Sequence, residues 1–232
     1  MQDFHYQILP LHHVHDSQKE LVNTVYEMWE MTFGKVLSNA GATLDHADFF
    51  RSHSAGVIMF KNEVIGFNLF TVFDLHLKAH GRHPYFEYLN TDTIASLKER
   101  KLTRLMTMEY FTVTPAWRRK YKEVPWSEIL TGLGLQYMDH SPADAVLGTP
   151  RMDLGVDKMC ARLGAKPIQE KVDKMNYPCA VMLFEKEKIR HFLNSETHFW
   201  VKRLWRIHLK EKLQPGARAA ASYNREGDID LM

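Results

Sequence analysis

Four cationic residues lie near the middle of the chain, between a predicted strand and a predicted helix. They belong to the stretch MTMEYFTVTPAWRRKYKEVPWSEILTGLGLQY, Met106 to Tyr137, and are Arg118, Arg119, Lys120 and Lys122. Cationic side chains beside the N–H groups of a helix start suit a phosphate or pyrophosphate, because the helix dipole adds to their charge. A solvated basic turn has the same composition, so both interpretations stay open on this stretch alone.

The elements that flank this basic cluster follow from the residue pattern. Thr107 to Thr114 is rich in β-branched and aromatic residues and stops before Pro115, which predicts a strand. Pro125 suits a first helical turn, where its missing N–H costs nothing. One apolar face then follows at helical spacing, formed by Trp126, Leu130, Leu133 and Tyr137. The cluster is therefore predicted to lie in a loop between strand and helix.

Length and composition limit the classes of protein. The 232 residues are 45% hydrophobic and 25% charged, which is enough for one domain with a full core, with or without an appendage. A formal net charge of +2 is too small for a nucleic-acid surface. No apolar run approaches the roughly 20 residues of a membrane span. Cys160 and Cys179 in apolar contexts, without a signal peptide, predict a reducing cytoplasm and no disulfide.

Histidines concentrate near the N-terminus, at His5, His12, His13 and His15. A metal site would need partner cysteines or carboxylates at ligand spacing, and this strand end and loop offer none. We therefore expect no metal.

The first half of the chain predicts a strand, two helices and a hairpin. The strand is Phe4 to Leu11, the helices run from Asp16 or Ser17 to about Val36 and from Asp45 to His53, and the hairpin arms are Gly56 to Lys61 and Glu63 to Phe73. The second arm is almost continuously apolar, as a central strand covered on both faces would be.

An irregular segment follows from Asp74 to Arg104, with a short helix predicted at Asp92 to Arg100. A connection of this length is more often functional, for example a lid, than accidental. Its rings Tyr85, Phe86 and Tyr88 are candidates for an apolar substrate wall. A local core under the lid explains the same residues equally well.

The remaining elements complete a mixed α/β pattern. They are a strand Ala145 to Thr149, a helix Asp153 to Leu163 closed by Gly164, and strands Lys166 to Val172 and Cys179 to Glu185 separated by DKMNYP. The order is strand, helix, helix, hairpin, lid, strand, basic loop, helix, strand, helix, hairpin.

This order and several residues resemble the GCN5-related N-acetyltransferase (GNAT) superfamily. Val113, Pro115, Trp117 and Arg118 match the first half of that family's cofactor pattern, and the segment MCARLGA at 159–165 resembles its later motif. The resemblance covers roughly Phe4 to Glu185. It implies an α/β fold with a mixed, mostly antiparallel central sheet flanked by helices, and acetyl-CoA or a longer acyl-CoA as co-substrate.

Two departures from the family pattern stand out. Tyr121 and Glu123 replace glycines where backbone approaches the pyrophosphate, and Cys160 stands where the family often has a tyrosine that protonates the leaving thiolate. The altered loop and the long lid also look like the divergent branch of N-acyl amino acid and acyl-homoserine lactone synthases. Such enzymes take acyl chains from acyl carrier protein, whose acidic surface would suit basic elements.

The resemblance implies direct attack of a small-molecule amine on a thioester. Glu109 is then the candidate base, with an exposed strand carboxylate as the alternative. Alternation places Phe111 and Val113 on its face. Backbone groups of Phe111, Thr112 and Val113 would pair with the pantetheine arm. Arg118 to Lys122, including Tyr121, would hold the pyrophosphate, and Cys160 would be the proton donor, with a buried structural cysteine as its alternative. A short acyl group is expected.

The chain beyond the family core is predicted as an amphipathic helix and a tail. Ile189 to Leu213 has an apolar face and several cations, so it can pack on its own domain, grip an acidic partner or lie on a membrane surface. Packing on the domain is favoured, and membrane contact is not expected. The predicted organisation is a domain at 1–186, a helix at 187–213 and a flexible tail at 214–232. An acyltransferase, a synthase that uses acyl carrier protein and a non-catalytic ligand sensor all fit this sequence.

Overall fold

The fold is a seven-stranded sheet with helices on both faces. The structure is a computed structural model that describes residues 3–121, 123–188 and 195–213. In chain order the elements are β1 (Phe4–Pro10), α1 (Lys19–Asn39), α2 (Ala47–Arg51), β2 (Ser54–Phe60), β3 (Glu63–Asp74), α3 (Thr91–Glu99), β4 (Arg104–Val113), α4 (Pro115–Lys120), α5 (Trp126–Asp139), β5 (Ala145–Gly148), α6 (Val156–Arg162), β6 (Lys166–Lys174), β7 (Tyr177–Glu185) and α7 (Ser195–Leu213).

The strands follow the spatial order β1-β2-β3-β4-β5-β7-β6. Every neighbouring pair is antiparallel except β4 and β5, which are parallel. The mixed α/β class and the mostly antiparallel sheet are therefore confirmed, as are all seven predicted strands. β3 is buried along most of its length, in agreement with its apolar sequence.

Two helical layers enclose the sheet. On one face α1 and α2 bury Val25, Trp29 and Phe49 against β2 and β3, and the lid packs its own rings beside them. On the other face α5 and α7 form a core with β1, and α6 extends that layer over β7. α7 buries Val201, Leu204 and Trp205 in this core, so the C-terminal helix packs on its own domain.

Several parts of the structure differ from the sequence-based predictions for local reasons. The predicted basic loop contains α4, because Pro115 starts a helical turn that Trp117 anchors in the core. α6 begins only at Val156, since Gly155 before it has a φ of 66°. β6 and β7 extend into DKMNYP and leave a two-residue turn. The lid, predicted as irregular, contains short 3-10 helices at His80–Arg82 and Pro84–Tyr88.

Parts of the C-terminal prediction lie outside the described ranges. Residues 189–194 of the predicted last helix and the predicted tail at 214–232 belong to these parts. Among the helices that the structure describes, none has both the length and the apolar composition that crossing a membrane requires.

Candidate active site

A cleft opens where β4 and β5 separate. The two strands pair only from Leu105 to Thr107 and from Ala145 to Leu147. β5 ends at Gly148, and Pro150 soon after it has no N–H to continue the ladder. Beyond Thr107 the described residues give β4 no strand partner on this side, and residues 108–113 line a cleft of about 340 Å³.

A bulge in β4 decides which side chains reach the cleft. Between Phe67 and Leu69 of β3, the partner positions on β4 advance three residues, from Glu109 to Thr112. Tyr110 is the extra residue and has a φ of 51°, a left-handed conformation that is uncommon outside glycine. The bulge crowds β3, since a Cβ on Gly66 would lie 2.6 Å from the Thr112 carbonyl oxygen.

The bulge also overturns the simple alternation expected from Glu109. Glu109 and Tyr110 both line a cavity on the α1 face, whereas Phe111 and Val113 pack in the cores on the opposite face. All of them nevertheless border the cleft. The bulge, and not a simple alternation, therefore brings these residues to the cleft.

The cleft wall is mostly apolar. Its apolar side chains come from α1, β4, β5, the segment before α6, α6 and β7 and include Phe33, Val36, Met108, Phe111, Val146, Leu154, Met159, Met182 and Phe184. Cys160, Thr131 and the exposed Arg118 also border it. Phe67, Phe70 and Phe73 of β3 do not line it, because they are buried in the cores.

The other predicted phosphate contacts are only partly described. Tyr121 stacks on Trp117 with ring centroids 5.0 Å apart and does not line the cleft. Arg119 and Lys120 have helical backbone in α4, but their side chains, and all of Lys122, lie outside the described part of the chain. Arg118 is therefore the member of the basic cluster that the structure places at the cleft.

A smaller cavity of about 70 Å³ lies on the α1 face of β4. Polar, charged and aromatic residues of α2, the lid, β4 and β6 line it, among them Asp48, Arg51, His83, Tyr85, Tyr88, Glu109, Tyr110 and Lys174. Two of the three lid rings predicted as a substrate wall thus border this cavity. Phe86 does not, because it is buried against Phe73 in the core under the lid.

Glu109 and Lys174 form an ion pair where the cleft and the cavity meet. Lys174 Nζ donates to Glu109 Oε1 at 2.9 Å and to Thr149 Oγ1 at 3.0 Å. The side chain of Lys174 is only 15% exposed, and that of Glu109 is only 19% exposed. Lys174 was missed by sequence reasoning, because the two residues are 65 positions apart and nothing in their spacing links them.

Solved structures share this fold, although comparison of the sequence with family models and curated proteins finds no match. The structure of FeeM, an N-acyl amino acid synthase from uncultured soil microbes, aligns with a TM-score of 0.56 at 11% identity, over 81% of this chain and 94% of FeeM.

Two acyl-homoserine lactone synthases are similar to the same extent. The CoA-dependent enzyme BjaI, solved with SAM and isopentyl-CoA, gives a TM-score of 0.55 at 9% identity, over 87% of this chain and 90% of BjaI. LasI gives 0.53 at 11% identity, over 85% and 94%. The chain has the GNAT fold. At these identities the likeness establishes the architecture, and the resemblance inferred from element order is confirmed at that level.

Within the GNAT fold, the position resembling the family's proton-donating tyrosine holds a buried thiol. Cys160 is 9% exposed, and burial, with Asp157 nearby, raises its pKa to about 12. The thiol therefore stays protonated at neutral pH. It is also a weaker acid than an ordinary thiol of pKa about 8.5, so protonation of a leaving thiolate by Cys160 would be uphill.

The start of α5, where the sequence predicted an anion site, carries its own carboxylate. Glu128 in the first turn accepts hydrogen bonds from Arg162 at 3.2 Å and from Thr197 at 3.3 Å. An acidic side chain there already complements the positive end of the helix dipole. The cations of the basic cluster, and not this helix start, are thus the better candidates for phosphate contacts.

Ion pairs and a hydrogen bond hold the wall of the cavity on the side of α2. Arg51 pairs with Asp48 and Asp45, and Tyr110 donates its hydroxyl to Asp48 at 2.5 Å. Burial, with the negative charge of Asp48 beside it, raises the pKa of Tyr110 far above its usual value, so the hydroxyl remains a donor. Within the described ranges no group of three or more His, Cys, Asp or Glu side chains could hold a metal.

Proposed function

We propose that this protein is an N-acyltransferase that moves an acyl group from a coenzyme A thioester to the amine of a small molecule. The observation that carries the proposal is the meeting of an apolar cleft and a small charged cavity at Glu109 and Lys174. Joining an acyl donor to an amine requires two substrate sites that share one point, with a proton acceptor beside it.

The cleft supports binding of the donor. A pantetheine arm can add to an open strand edge through backbone hydrogen bonds, and Phe111, Thr112 and Val113 supply that edge. Arg118 lies at the wall, exposed to solvent, and suits the pyrophosphate. Arg119, Lys120, Tyr121 and Lys122 stay in the proposed phosphate site on the basis of their sequence position.

The cavity supports binding of the acceptor. Tyr85 and Tyr88 wall it from the lid, and burial, with the charge of Glu109 nearby, raises the pKa of Tyr85 well above its usual value. An amine that enters as an ammonium ion meets the Glu109 carboxylate at the oxygen that Lys174 does not hold, because the Lys174 ammonium group already occupies Oε1 and lies over both rings. The small volume of the cavity favours a small amine as acceptor.

The reaction then follows from the positions of these groups. Glu109 takes one proton from the ammonium ion, and the neutral nitrogen attacks the thioester carbonyl carbon. The C–N bond forms, the C–S bond breaks, and the leaving thiolate takes the second proton of the nitrogen. Because the raised pKa of Cys160 makes it a poor acid, we propose that its thiol contributes at most a hydrogen bond to the leaving sulfur.

A long-chain synthase is the second candidate function, and the apolar cleft wall favours it. The cleft has apolar space, bordered by Met159, Met182 and Phe184, that an acetyl group would not fill. A longer acyl chain would bury apolar area there, and each Å² buried stabilises the complex by about 25 cal/mol. The sequence alone predicted a short acyl group. Acyl carrier protein is the alternative carrier, with its acidic surface against the basic cluster.

Thiol release combined with product mass spectrometry tests the function. The protein is incubated with acetyl-CoA, octanoyl-CoA or octanoyl-acyl carrier protein and a mixture of small primary amines and amino acids. Amine-dependent thiol release and an N-acyl product support the proposal, and the preferred donor decides between the two candidates. Binding of acyl-CoA without a product from any donor would instead favour a non-catalytic ligand sensor.

A further inference from the structure

Four residues line both the cleft and the cavity. They are Glu109, Tyr110, Lys174 and Met175. The Tyr110 hydroxyl is engaged with Asp48, and Met175 is apolar. Glu109 and Lys174 therefore supply the charge at the point where donor and acceptor would meet.

The Lys174 ammonium group is held from several sides. Besides its bonds to Glu109 and Thr149, it lies 4.9 Å from the ring centroid of Tyr85 and 5.4 Å from that of Tyr88. The carboxylate of Glu109 and the hydroxyl of Thr149 both accept from the ammonium group, and the faces of the two rings attract its positive charge. The side chain thus bridges β4, the segment after β5 and the lid.

The backbone of Lys174 is fixed as well. It is the last residue of β6, before a turn in which Met175 and Asn176 have φ values of 55° and 61°. Positive φ at both positions is typical of a type I′ hairpin turn. Asn176 Nδ2 donates to the Ala40 carbonyl at 2.7 Å and Tyr177 Oη to the Val36 carbonyl at 2.8 Å, so the hairpin is docked on the end of α1.

We propose that Lys174 is a positioning residue that acts through Glu109, an inference that rests on the proposed function. Its ammonium group holds Glu109 Oε1 and fixes the direction of the carboxylate, so that Oε2 can take the proton of the acceptor amine. A hydrogen bond between two charged groups is stronger than one between neutral groups and therefore holds this direction well. After the transfer Glu109 carries the proton, passes it to water and returns to the pair with Lys174.

Other groups also surround the pair and contribute to its electrostatics. They are His83 and Tyr85 of the lid, Tyr110 of β4, Asp48 and Arg51 of α2, and Arg151 and Cys179 near Lys174. Asp48 and Arg51 largely cancel each other as an ion pair. Within the described ranges Lys174 is the cation in direct contact with Glu109, so its removal should dominate any change in how that carboxylate is held.

The test compares Lys174→Met, Lys174→Gln and Lys174→Arg with Lys166→Met, a control at the exposed start of β6. We expect kcat to fall roughly tenfold or more in the Met and Gln variants, the scale of a lost hydrogen bond between charged groups, and to stay at the wild-type value in the control. The arginine variant should restore most of the wild-type kcat, and the dissociation constant of acyl-CoA should stay unchanged throughout.

A second readout does not depend on turnover. At one constant neutral pH, the ¹³C signal of the Glu109 carboxyl carbon should differ from the wild type in Lys174→Met and Lys174→Gln and return toward it in Lys174→Arg, because the contact to Oε1 is lost and then restored. An unchanged carboxyl signal in a folded Met or Gln variant would overturn the role of Lys174. If the signal moves but no donor gives a product, the proposed function fails while the contact of Lys174 with Glu109 stands.

Discussion

The two sides of β4 differ in size and in chemical character. On one side a cleft of about 340 Å³ is walled mainly by apolar side chains and an open strand edge. On the other side a cavity of about 70 Å³ is enclosed by ion pairs, ring faces and a buried tyrosine hydroxyl. Apolar area holds a flexible chain without fixing it, whereas paired charges fix one small group in one place.

This contrast separates affinity from rate. Changes in the cleft should alter how tightly the thioester binds, because the cleft offers area and backbone groups. Changes in the cavity should alter turnover, because in the proposed reaction its charges act on the proton that moves.

Glu109→Gln should have the largest effect. The amide keeps the size of the side chain but cannot take a proton, so turnover should fall roughly 10²-fold or more, the usual scale of general-base catalysis. The affinity for coenzyme A, measured by calorimetry, should stay nearly the same. Glu99→Gln on the exposed end of α3 is the matched control. Full turnover of Glu109→Gln at neutral pH would assign the proton to water or to another group.

Arg118→Glu should act on affinity alone and less strongly. Charged contacts to phosphate contribute about 1.5–3 kcal/mol, and reversal of an exposed cation should weaken coenzyme A binding roughly tenfold. The double variant with Arg119→Glu should bind more weakly still. Lys98→Glu on α3, a helix that does not line the cleft, controls for net charge. Unchanged affinity in the double variant would remove the basic cluster from the donor site.

The lid should loosen at low pH, with the smallest effect. Three imidazole Nδ1 atoms accept backbone N–H groups: His53 from Val72, His80 from Asp74 and His83 from Tyr85. Burial lowers the pKa of His53 and His83, and the neighbouring His12 and His80 lower that of His53 further. Protonation would remove each acceptor.

The sign of this pH dependence follows from the lowered pKa. The neutral imidazoles of His53 and His83 stabilise the lid above the ordinary histidine pKa of about 6.5, and the contribution is lost as pH falls through that value toward the folded-state pKa. Amide exchange at Val72 and Tyr85, corrected for intrinsic rates, should be roughly fivefold less protected at pH 5.5 than at pH 7.5, the effect of about 1 kcal/mol. His76→Asn, exposed on the same segment, should not change this ratio, whereas His83→Gln should reduce it at Tyr85. Equal protection at both pH values would contradict the account.

The sequence predicted the sheet because its signals are local. The alternation and turn residues of the β2–β3 hairpin, the apolar run of β3 and the glycine after α6 all act within a few residues, and Gly164 has the expected positive φ of 98°. The same local signals hid α4, since PAWRRKYKEVP between two prolines is also typical of a loop.

Only some residues of the candidate site could be predicted from the sequence, because its main contacts join residues that are far apart along the chain. Glu109 could be proposed from its strand and the family resemblance, but Lys174 reaches it only through the register of the β6–β7 hairpin. Tyr110 meets Asp48 from 62 positions away, through a bulge at a residue type that rarely has positive φ. Phe86 was predicted as part of the substrate wall from its place in the lid, but its ring packs in the core under the lid and does not line the cavity.

Calorimetry of octanoyl-CoA against acetyl-CoA tests the division most directly, with wild type and Gly148→Leu. A Cβ on Gly148 would meet only ordinary contacts, 3.9 Å from the Met108 carbonyl oxygen, so leucine extends into the cleft. Each buried methylene contributes about 0.8 kcal/mol, so burial of two of the six extra methylenes makes octanoyl-CoA more than tenfold tighter in the wild type. Gly148→Leu should abolish this preference, and Gly34→Leu on α1 should keep it. Equal or weaker octanoyl binding in the wild type would contradict the assignment of the cleft to the acyl chain.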